Sequence, residues 1–359
     1  MTKPYLLYSD VHCHDWDAFS HVTADGLNNR LAGIVQALSG AYEHLRNEGG
    51  RTAFCAGDLF HERGKIRPSI MNPVAQFYQK HHKIVRSVII PGNHDLETNE
   101  TTWQGNALFT LPGVEAVNAP SIFNANIAGA CYVCMIPWQP SVKALLAVMR
   151  EATSMSPPER TDLIIHAPLD GVLRGVPEHG LTPEVLFNAY PAKRIFCGHY
   201  HNHIGFGDRV YSVGALTHQT WSDVGTKAGY LLVYPDRVEH FETTAPKFID
   251  VDELLKDEKT DDESLEIIVK GNYTRVSVTD PTALEVGFIR DKLKSMGAAG
   301  TLVRAIATGA DMSTARTAVA ASMERLDESI LNYAEKQGGE PLAQLCAGIF
   351  KSVETSWKS

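Results

Sequence analysis

Five short motifs in this 359-residue chain place metal-binding residue types directly after apolar, strand-like runs. Their side chains are carboxylates, an amide and imidazoles, which are common ligands of divalent transition metals. One motif alone carries little information, because a Gly-Asp pair or a single histidine arises by chance in most long chains. The ordered set indicates a metal-dependent reaction centre. In chain order the motifs are Asp10-x-His12, Gly57-Asp58, Gly92-Asn93-His94-Asp95, His166 and Gly198-His199-Tyr200-His201.

The first motif, in "SDVHCHDW", has two interpretations. Asp10-x-His12 is typical of a dinuclear phosphoesterase, whereas His12-x-His14 is typical of an amidohydrolase-type or PHP-type metal barrel. A barrel needs eight strand–helix units, and the later Gly-Asn-His-Asp and Gly-His-Tyr-His motifs have no place in one. The first interpretation is favoured, and it places His14 on a loop at the rim of the site.

The elements that must position these motifs follow from the hydrophobic pattern. Over the first two-thirds of the chain, buried strands such as "YLLYSD" and "DLIIHAP" alternate with helical stretches such as "LNNRLAGIVQALSGAYEHL". This alternation predicts an α/β fold with sheet layers covered by helices. Loops at the strand ends can then bring together residues that are far apart in sequence.

The last third of the chain has a different character. An acidic stretch after Phe248 is followed by a strand in "NYTRVSVT", a helix after Asp280-Pro281 and a strand in "GTLVRAIAT". These elements predict a small β-α-β module over about 246–308. Beyond it, apolar residues recur at alternating spacings of four and three, which is a helical seam pattern. Such helices either pack on their own domain or grip a partner helix.

Composition limits the class of protein. The chain is 44% hydrophobic and 21% charged, which suits one large globular domain with a smaller addition. A net charge of −9 argues against a simple basic nucleic-acid binder, although bound cations would reverse the local charge at a site. No apolar run is long enough to span a bilayer, so a cytoplasmic location and no membrane contact are expected. Cys131-x-x-Cys134 is interpreted as core packing in a reducing compartment.

The ordered motifs resemble those of the calcineurin-like metallophosphoesterase superfamily. The resemblance implies a four-layer α/β/β/α sandwich and two divalent metal ions, with Mn²⁺ expected first. It implies that His94 protonates the leaving alkoxide, and that Asp95 either orients the His94 ring, which we favour, or caps the following turn. The implied metal ligands are Asp10, His12 and His201 for the first ion, Asn93, His166 and His199 for the second, and Asp58 between them.

The flanks of these motifs are similar to those of the SbcD-type DNA-repair nucleases. The similar stretches are "AGDLFHERGKIRPS", "VIIPGNHD" and "VYSVGALTHQTWSDVGTKAGYLLV", in which Gly214-Ala215 replaces the usual Gly-Ser. The resemblance implies an exonuclease on DNA ends and an endonuclease on single strands, acting in repair and recombination. It further implies a homodimer, an SbcC-type ABC ATPase with a coiled coil as partner, and a role for His61 in placing the substrate phosphate. The implied domains are a nuclease domain at 1–245, a DNA-binding capping domain at 246–308 and an ATPase-docking helical segment at 309–359.

Two other functions stay open from the sequence. A small-molecule or cyclic-nucleotide phosphodiesterase of the same superfamily would use the module to close a narrow pocket. A non-enzymatic scaffold would keep the metals for structure, but structural metal sites are usually closed and lack an acid such as His94. Arg63, Lys65 and Arg67 either bind DNA phosphates or form a solvated loop.

Overall fold

A computed structural model of the protein describes residues 3–98, 104–124, 132–173, 175, 178–256 and 261–306. The described residues fall into two units, one within 1–276 and 288–302 and the other within 277–287 and 303–306. The strands are β1 Tyr5–Tyr8, β2 Thr52–Cys55, β3 Arg86–Ile89, β4 Val114–Ala116, β5 Ser121–Asn124, β6 Tyr132–Ile136, β7 Thr161–His166, β8 Arg194–Gly198, β9 Ile204–Phe206, β10 Val210–Ser212, β11 Gly229–Val233, β12 Val238–Glu242, β13 Phe248–Asp250, β14 Tyr273–Thr279 and β15 Gly300–Ile306. The helices are α1 Asn29–Asn47, α2 Pro68–His81, α3 Val142–Ala152, α4 Pro183–Ala189, α5 Asp252–Lys256, α6 Asp262–Val269 and α7 Ala283–Ser295.

Two six-stranded mixed sheets form the centre of the first unit. One has the order β12-β11-β1-β2-β3-β4, and the other has the order β5-β6-β7-β8-β10-β9. The strands from β1 to β4 are parallel, as are β6, β7, β8 and β10. The carboxyl ends of neighbouring parallel strands lie at the same edge of a sheet, so each sheet collects its strand-end loops at one edge.

The apolar core fills three spaces between layers. Tyr5 and Leu7 of β1 point toward the second sheet, where Phe196 of β8 belongs to the same buried cluster. Their neighbours Leu6 and Tyr8 point to the opposite face and pack with α1 and α2. Another cluster joins α3 and α4 to the outer face of the second sheet. The predicted four-layer α/β/β/α sandwich is confirmed, and it explains why β1 is apolar on both faces.

The helices begin where the sequence supplies caps. Asn28 accepts hydrogen bonds from the first backbone N–H groups of α1, and the Thr182 side chain caps α4 just before Pro183. None of the described helices is both long and apolar enough to cross a membrane. Cys134 is a buried free thiol of the core, whereas Cys131 lies outside the described residues.

The elements from β13 to β15 cover the segment predicted as a β-α-β module. Their three strands form a sheet in the order β13-β14-β15, with β13 parallel to β14. The acidic stretch contains two short helices, α5 and α6. The domain boundaries at 245 and 308 and the capping role stay predictions. The predicted helical segment at 309–359 lies outside the described residues.

A buried ion pair links the two sheets at the end opposite the motifs. The Arg194 guanidinium donates to both carboxylate oxygens of Asp162. The hydrogen bond from Nε to Oδ1 is 2.8 Å long, and the one from Nη2 to Oδ2 is 2.6 Å long. Tyr5 of the first sheet donates to the same carboxylate at 2.9 Å, and Arg194 Nη1 donates to the Tyr234 carbonyl at 2.8 Å. This pair satisfies its charges with polar groups from both sheets, so it fixes their relative position.

We expect Asp162→Ala to lower the free energy of unfolding by about 3–5 kcal/mol, because it leaves a buried guanidinium without its carboxylate. Urea denaturation followed by circular dichroism measures this change. The control is Glu115→Ala, which removes the exposed pair between Arg86 and Glu115 and should cost under about 1 kcal/mol. Equal losses in the two variants would contradict the structural role of the buried pair.

Candidate metal centre

The strand-end motifs of the two sheets meet at one place. Asp10 follows β1 and Asp58 follows β2, and their loops are joined by hydrogen bonds from Asp10 N to Gly57 O and from His12 N to Asp58 O, each 3.0 Å long. His166 ends β7 of the other sheet, and His199 directly follows β8. The sandwich therefore brings together residues from both sheets at the carboxyl ends of their strands.

Four of the residues at this place have backbone φ angles that residues other than glycine rarely adopt. The φ angles are 49° at Asp10, 46° at His12, 54° at Asp58 and 105° at His199. Among the described residues, six non-glycine positions have positive φ, and four of them are predicted metal ligands. Left-handed conformations at such positions cost of order 1–3 kcal/mol each and persist only where the surrounding structure imposes them. Here they turn the side chains away from the strand direction and toward a common centre.

The first group of donors contains Asp10, His12 and His201. One ligand atom from each lies within 4.8 Å of the others. The Asp10 carboxylate also accepts the backbone N–H of His199 at 2.9 Å. His201 Nδ1 is 2.7 Å from Asp223 Oδ1, so the Nε2 atom of His201 is left for the group.

The second group contains Asp58, His166 and His199. Asn93 belongs to it as well, since its Oδ1 lies 3.2 Å from His166 Nε2 and 3.1 Å from His199 Nδ1. His166 Nδ1 donates to the Ala56 carbonyl at 2.7 Å, which leaves Nε2 as the ligand atom. The structure thus places together the residues predicted for the second ion.

Asp58 contacts members of both groups. Its Oδ2 is 3.3 Å from His166 Nε2 and 3.7 Å from His12 Nε2. Its Oδ1 accepts the backbone N–H of His94 at 2.8 Å, which fixes the orientation of the carboxylate. A carboxylate shared between the two groups in this way would suit a bridging ligand between two cations.

The charges of the centre fit divalent cations. Asp10 is 0% exposed and Asp58 is 2% exposed, and in the described part of the chain neither forms an ion pair with Lys or Arg. Burial raises the pKa of Asp10, although the nearby His166 and His201 rings act in the opposite direction. Carboxylate, amide oxygen and imidazole donors together suit Mn²⁺, Fe²⁺ or Zn²⁺ better than Ca²⁺. The residues present therefore fit two divalent metal ions, whose identity the donor set leaves open.

The pKa values of the histidines in the centre shift in both directions. Burial lowers the pKa of His199 to about 3 and that of His12 well below its ordinary value, so both rings are neutral near pH 7. Burial alone would also lower the pKa of His166, but the adjacent Asp58 carboxylate outweighs it and raises that pKa to about 9. A cation that binds beside Asp58 must displace this proton.

His94 stands beside the first group and is oriented by a backbone carbonyl. Its Nδ1 donates to the His61 carbonyl at 2.6 Å, and its ring lies edge-on to His12 with centroids 5.0 Å apart. The favoured role of Asp95, to orient this ring, is wrong. The Asp95 carboxylate instead accepts backbone N–H groups of Leu59, Phe60 and Gly92, so it joins two ligand-bearing loops.

A cavity of about 250 Å³ opens onto these groups. His61 lines it and stacks on His94, with ring centroids 5.3 Å apart. Other lining residues come from loops that carry no predicted ligand, namely Trp16, Gln219, Thr220 and Ser222.

The prediction that His14 lies on a loop at the rim is wrong, because its side chain is buried and only 2% exposed. Its Nε2 is 2.9 Å from Gln219 Oε1, and its Nδ1 accepts the backbone N–H of Trp16. Sequence reasoning also missed Asp223, the partner of His201. The one available signal was the Thr-x-x-acid pattern from Thr220 to Asp223, which is typical of a helix start and forms a capping box here.

The family model of the calcineurin-like phosphoesterases (Metallophos) matches residues 3–203, more than half of the chain. All seven predicted metal ligands lie within this range. No curated protein gives a significant match.

Gly92 approaches Asp58 so closely that a side chain cannot fit. A Cβ at this position would lie 2.1 Å from Asp58 Oδ1 and 2.6 Å from Asp58 N. We expect Gly92→Ala to displace the carboxylate and to weaken Mn²⁺ binding by at least about 10-fold, measured by isothermal titration calorimetry. The control is Gly40→Ala within α1, where a Cβ meets open space. Unchanged Mn²⁺ affinity in Gly92→Ala would contradict the bridging position of Asp58.

Proposed function

The chain belongs to the calcineurin-like phosphoesterase family, and on that premise we propose that it is a DNA nuclease that uses two divalent cations, with Mn²⁺ as the first candidate. Metal-dependent phosphoester hydrolysis follows from the family together with the two donor groups. The observation that carries the proposal is the sharing of Asp58 between these groups, with His94 beside them. DNA as substrate is a further step, which is supported by the size of the cavity and by the loop after Asp58.

The side chains of the centre would have separate roles in hydrolysis. Bound at the two donor groups, the cations would polarise the phosphoryl oxygens and lower the pKa of an attacking water. Asp58 contacts both groups and so fixes the distance between them. The positive φ angles in the ligand-bearing loops direct the ligand side chains into the centre. Because His94 Nδ1 is bonded to the His61 carbonyl, Nε2 is the atom from which a protonated His94 can donate to the leaving alkoxide.

The size of the cavity favours a substrate that extends beyond it. Sites that enclose a small ligand usually measure about 300–1,000 Å³, whereas this cavity measures about 250 Å³. A cyclic nucleotide would be only partly enclosed, while a single phosphodiester of a long strand needs no more room. This comparison supports DNA over the small-molecule alternative.

The loop after Asp58 offers groups that could contact a strand. His61 lines the cavity, and Arg63 and Lys65 on the same loop are exposed. Arg67 pairs with Asp15 and Glu62, so its charge is partly neutralised. Phosphate contacts by the exposed cations would add a salt-dependent contribution to DNA affinity despite the net charge of −9.

An SbcC-type ABC ATPase partner and a homodimer belong to the same proposal. They are supported by the SbcD-like flanks and by the apolar seam at Val319, Met323, Leu326, Ile330 and Tyr333, which lies outside the described residues. Co-purification with an ATPase that contains a coiled coil would support the partner, and light scattering would measure the state of association.

We expect His94→Ala to slow Mn²⁺-dependent DNA cleavage by about 100- to 10,000-fold, because it removes the proposed proton donor. The assay uses end-labelled single- and double-stranded DNA. Mn²⁺ binding at the two donor groups should persist, since His94 belongs to neither of them and only forms a third candidate group with His12 and His61. The matched control is His21→Ala, at an exposed histidine away from both donor groups.

Two results would contradict this expectation in different ways. Cleavage at the wild-type rate in His94→Ala would exclude the catalytic role of His94. Hydrolysis of bis(p-nitrophenyl) phosphate or a cyclic nucleotide by the wild type, without cleavage of any DNA, would favour the small-molecule alternative.

For His61→Ala we expect DNA cleavage to fall about 10- to 100-fold while hydrolysis of bis(p-nitrophenyl) phosphate changes little. The lost contact is a hydrogen bond to a charged phosphate, worth about 1.5–3 kcal/mol. Comparison of kcat/KM for the two substrates measures the difference. Equal losses on both would show that His61 acts through His94 or His12, which it contacts, rather than through the strand.

A further inference from the structure

One loop contacts both chain segments that supply the first donor group. This clamp loop, residues 217–223, binds the Asp-x-His segment through Gln219, whose Nε2 donates to the Val11 carbonyl at 3.1 Å and whose Oε1 lies 2.9 Å from His14 Nε2. It binds the Gly-His-Tyr-His segment through Asp223, whose Oδ1 is 2.7 Å from His201 Nδ1. The family-model match ends before this loop begins.

We propose that Asp223 is a positioning residue, which holds His201 in the tautomer that carries its proton on Nδ1 and presents the Nε2 lone pair to the first metal ion. The inference rests on the proposed metal centre and is independent of DNA as the substrate. A metal-bound histidine needs its second nitrogen protonated and bonded to an acceptor, and a carboxylate is the strongest acceptor available.

The surroundings of Asp223 fix its carboxylate in one orientation. The side chain is buried, and its Oδ2 accepts the backbone N–H groups of Gln219 and Thr220, each at 2.7 Å. With Oδ2 held by two donors, Oδ1 is directed at His201. The capping box between Thr220 and Asp223 stabilises the short turn that carries the carboxylate.

The clamp loop is also packed on its far side. The Trp221 ring lies edge-on to Phe248 of β13 with centroids 4.8 Å apart, and the Arg275 guanidinium of β14 lies 4.9 Å from the Trp221 ring centre. Arg275 in turn donates a hydrogen bond of 2.8 Å from Nη2 to the Asp250 carboxylate. Packing against β13 and β14 therefore restrains the turn that orients His201.

Asp223→Asn tests the tautomer directly. The asparagine oxygen can keep the two backbone N–H bonds, but its NH₂ group then faces His201 Nδ1 and donates to it. The ring proton must move to Nε2, the atom that should bind metal, as happens when a histidine-orienting aspartate becomes asparagine. Long-range ¹H–¹⁵N spectra of the metal-free protein should show His201 changing from the Nδ1–H to the Nε2–H form, with assignment from His201→Gln.

The second readout is metal affinity. In Asp223→Asn we expect one of two Mn²⁺ ions to bind about 10- to 100-fold more weakly, while the other keeps its affinity. Asp170→Asn is the matched control, because Asp170 is also buried and also accepts two backbone N–H groups, from His179 and Leu181. Both Mn²⁺ ions should bind this control with wild-type affinity.

Asp223→Glu separates positioning from a general structural role. Glutamate keeps the ionised acceptor but alters the length, so it should retain the Nδ1–H tautomer and most of the Mn²⁺ affinity. A purely structural role predicts the reverse order, with isosteric Asn tolerated better than Glu. The glutamate variant also keeps the test decisive where Asp223→Asn fails to fold.

The inference is overturned when Asp223→Asn keeps the Nδ1–H tautomer and binds both Mn²⁺ ions with wild-type affinity. Failure of the proposed function gives a different result. Wild-type protein that binds Mn²⁺ without cleaving DNA would exclude the nuclease proposal and leave both readouts of Asp223 intact. Wild-type protein that binds no divalent metal would exclude the metal centre, and with it the metal-presenting role of Asp223.

Discussion

The buried carboxylate of Asp58 is the interaction on which the rest of the site depends. It contacts His12, which follows a strand of the first sheet, and His166, which ends a strand of the second. Its negative charge therefore interacts with imidazole rings from both halves of the sandwich. A charge so deeply buried is tolerated only with compensating partners. The surrounding features serve this requirement. Gly92 leaves space for the carboxylate, Asp95 ties the adjoining loops together, and His94 N fixes one of its oxygens.

The fold supplies the rigidity that such a site needs. Left-handed backbone at Asp10, His12 and Asp58 is unfavourable by itself and is maintained by hydrogen bonds between their loops and by the apolar core beneath. At the other end of the same strands, the pair between Arg194 and Asp162 joins the sheets by a different chemistry. The apolar interior between these two polar ends keeps the sheets at a constant distance. Each donor group takes members from both sheets, so its internal geometry is maintained as a result.

Much of the fold and the site could be predicted from the sequence, for physical reasons. Apolar periodicity predicts strands and helices, and polar residues directly after strands predict where chemistry collects. The division of the donors from Asp10 to His201 into two ligand sets is implied by the resemblance to the superfamily, and it stays a prediction. The remainder depends on contacts that no local pattern encodes. The burial of His14 follows from Gln219, which is 205 positions away. The role of Asp95 depends on backbone N–H groups, whose direction only the folded loops define, and Asp223 is a single acidic residue that becomes informative only beside His201.

The order in which the ligands occur along the chain has a consequence for biosynthesis. Asp10 and His199 are 189 positions apart, and both donor groups lack a member until the single loop after β8 has been made. At translation rates of about 5–20 residues per second, Asp10 and His12 wait about 10–40 s for their partners. A nascent chain therefore exposes carboxylates and imidazoles without a complete ligand shell for either ion. Completion of both donor groups is coupled to one late topological event, the addition of β8 to the second sheet, rather than to two independent ones.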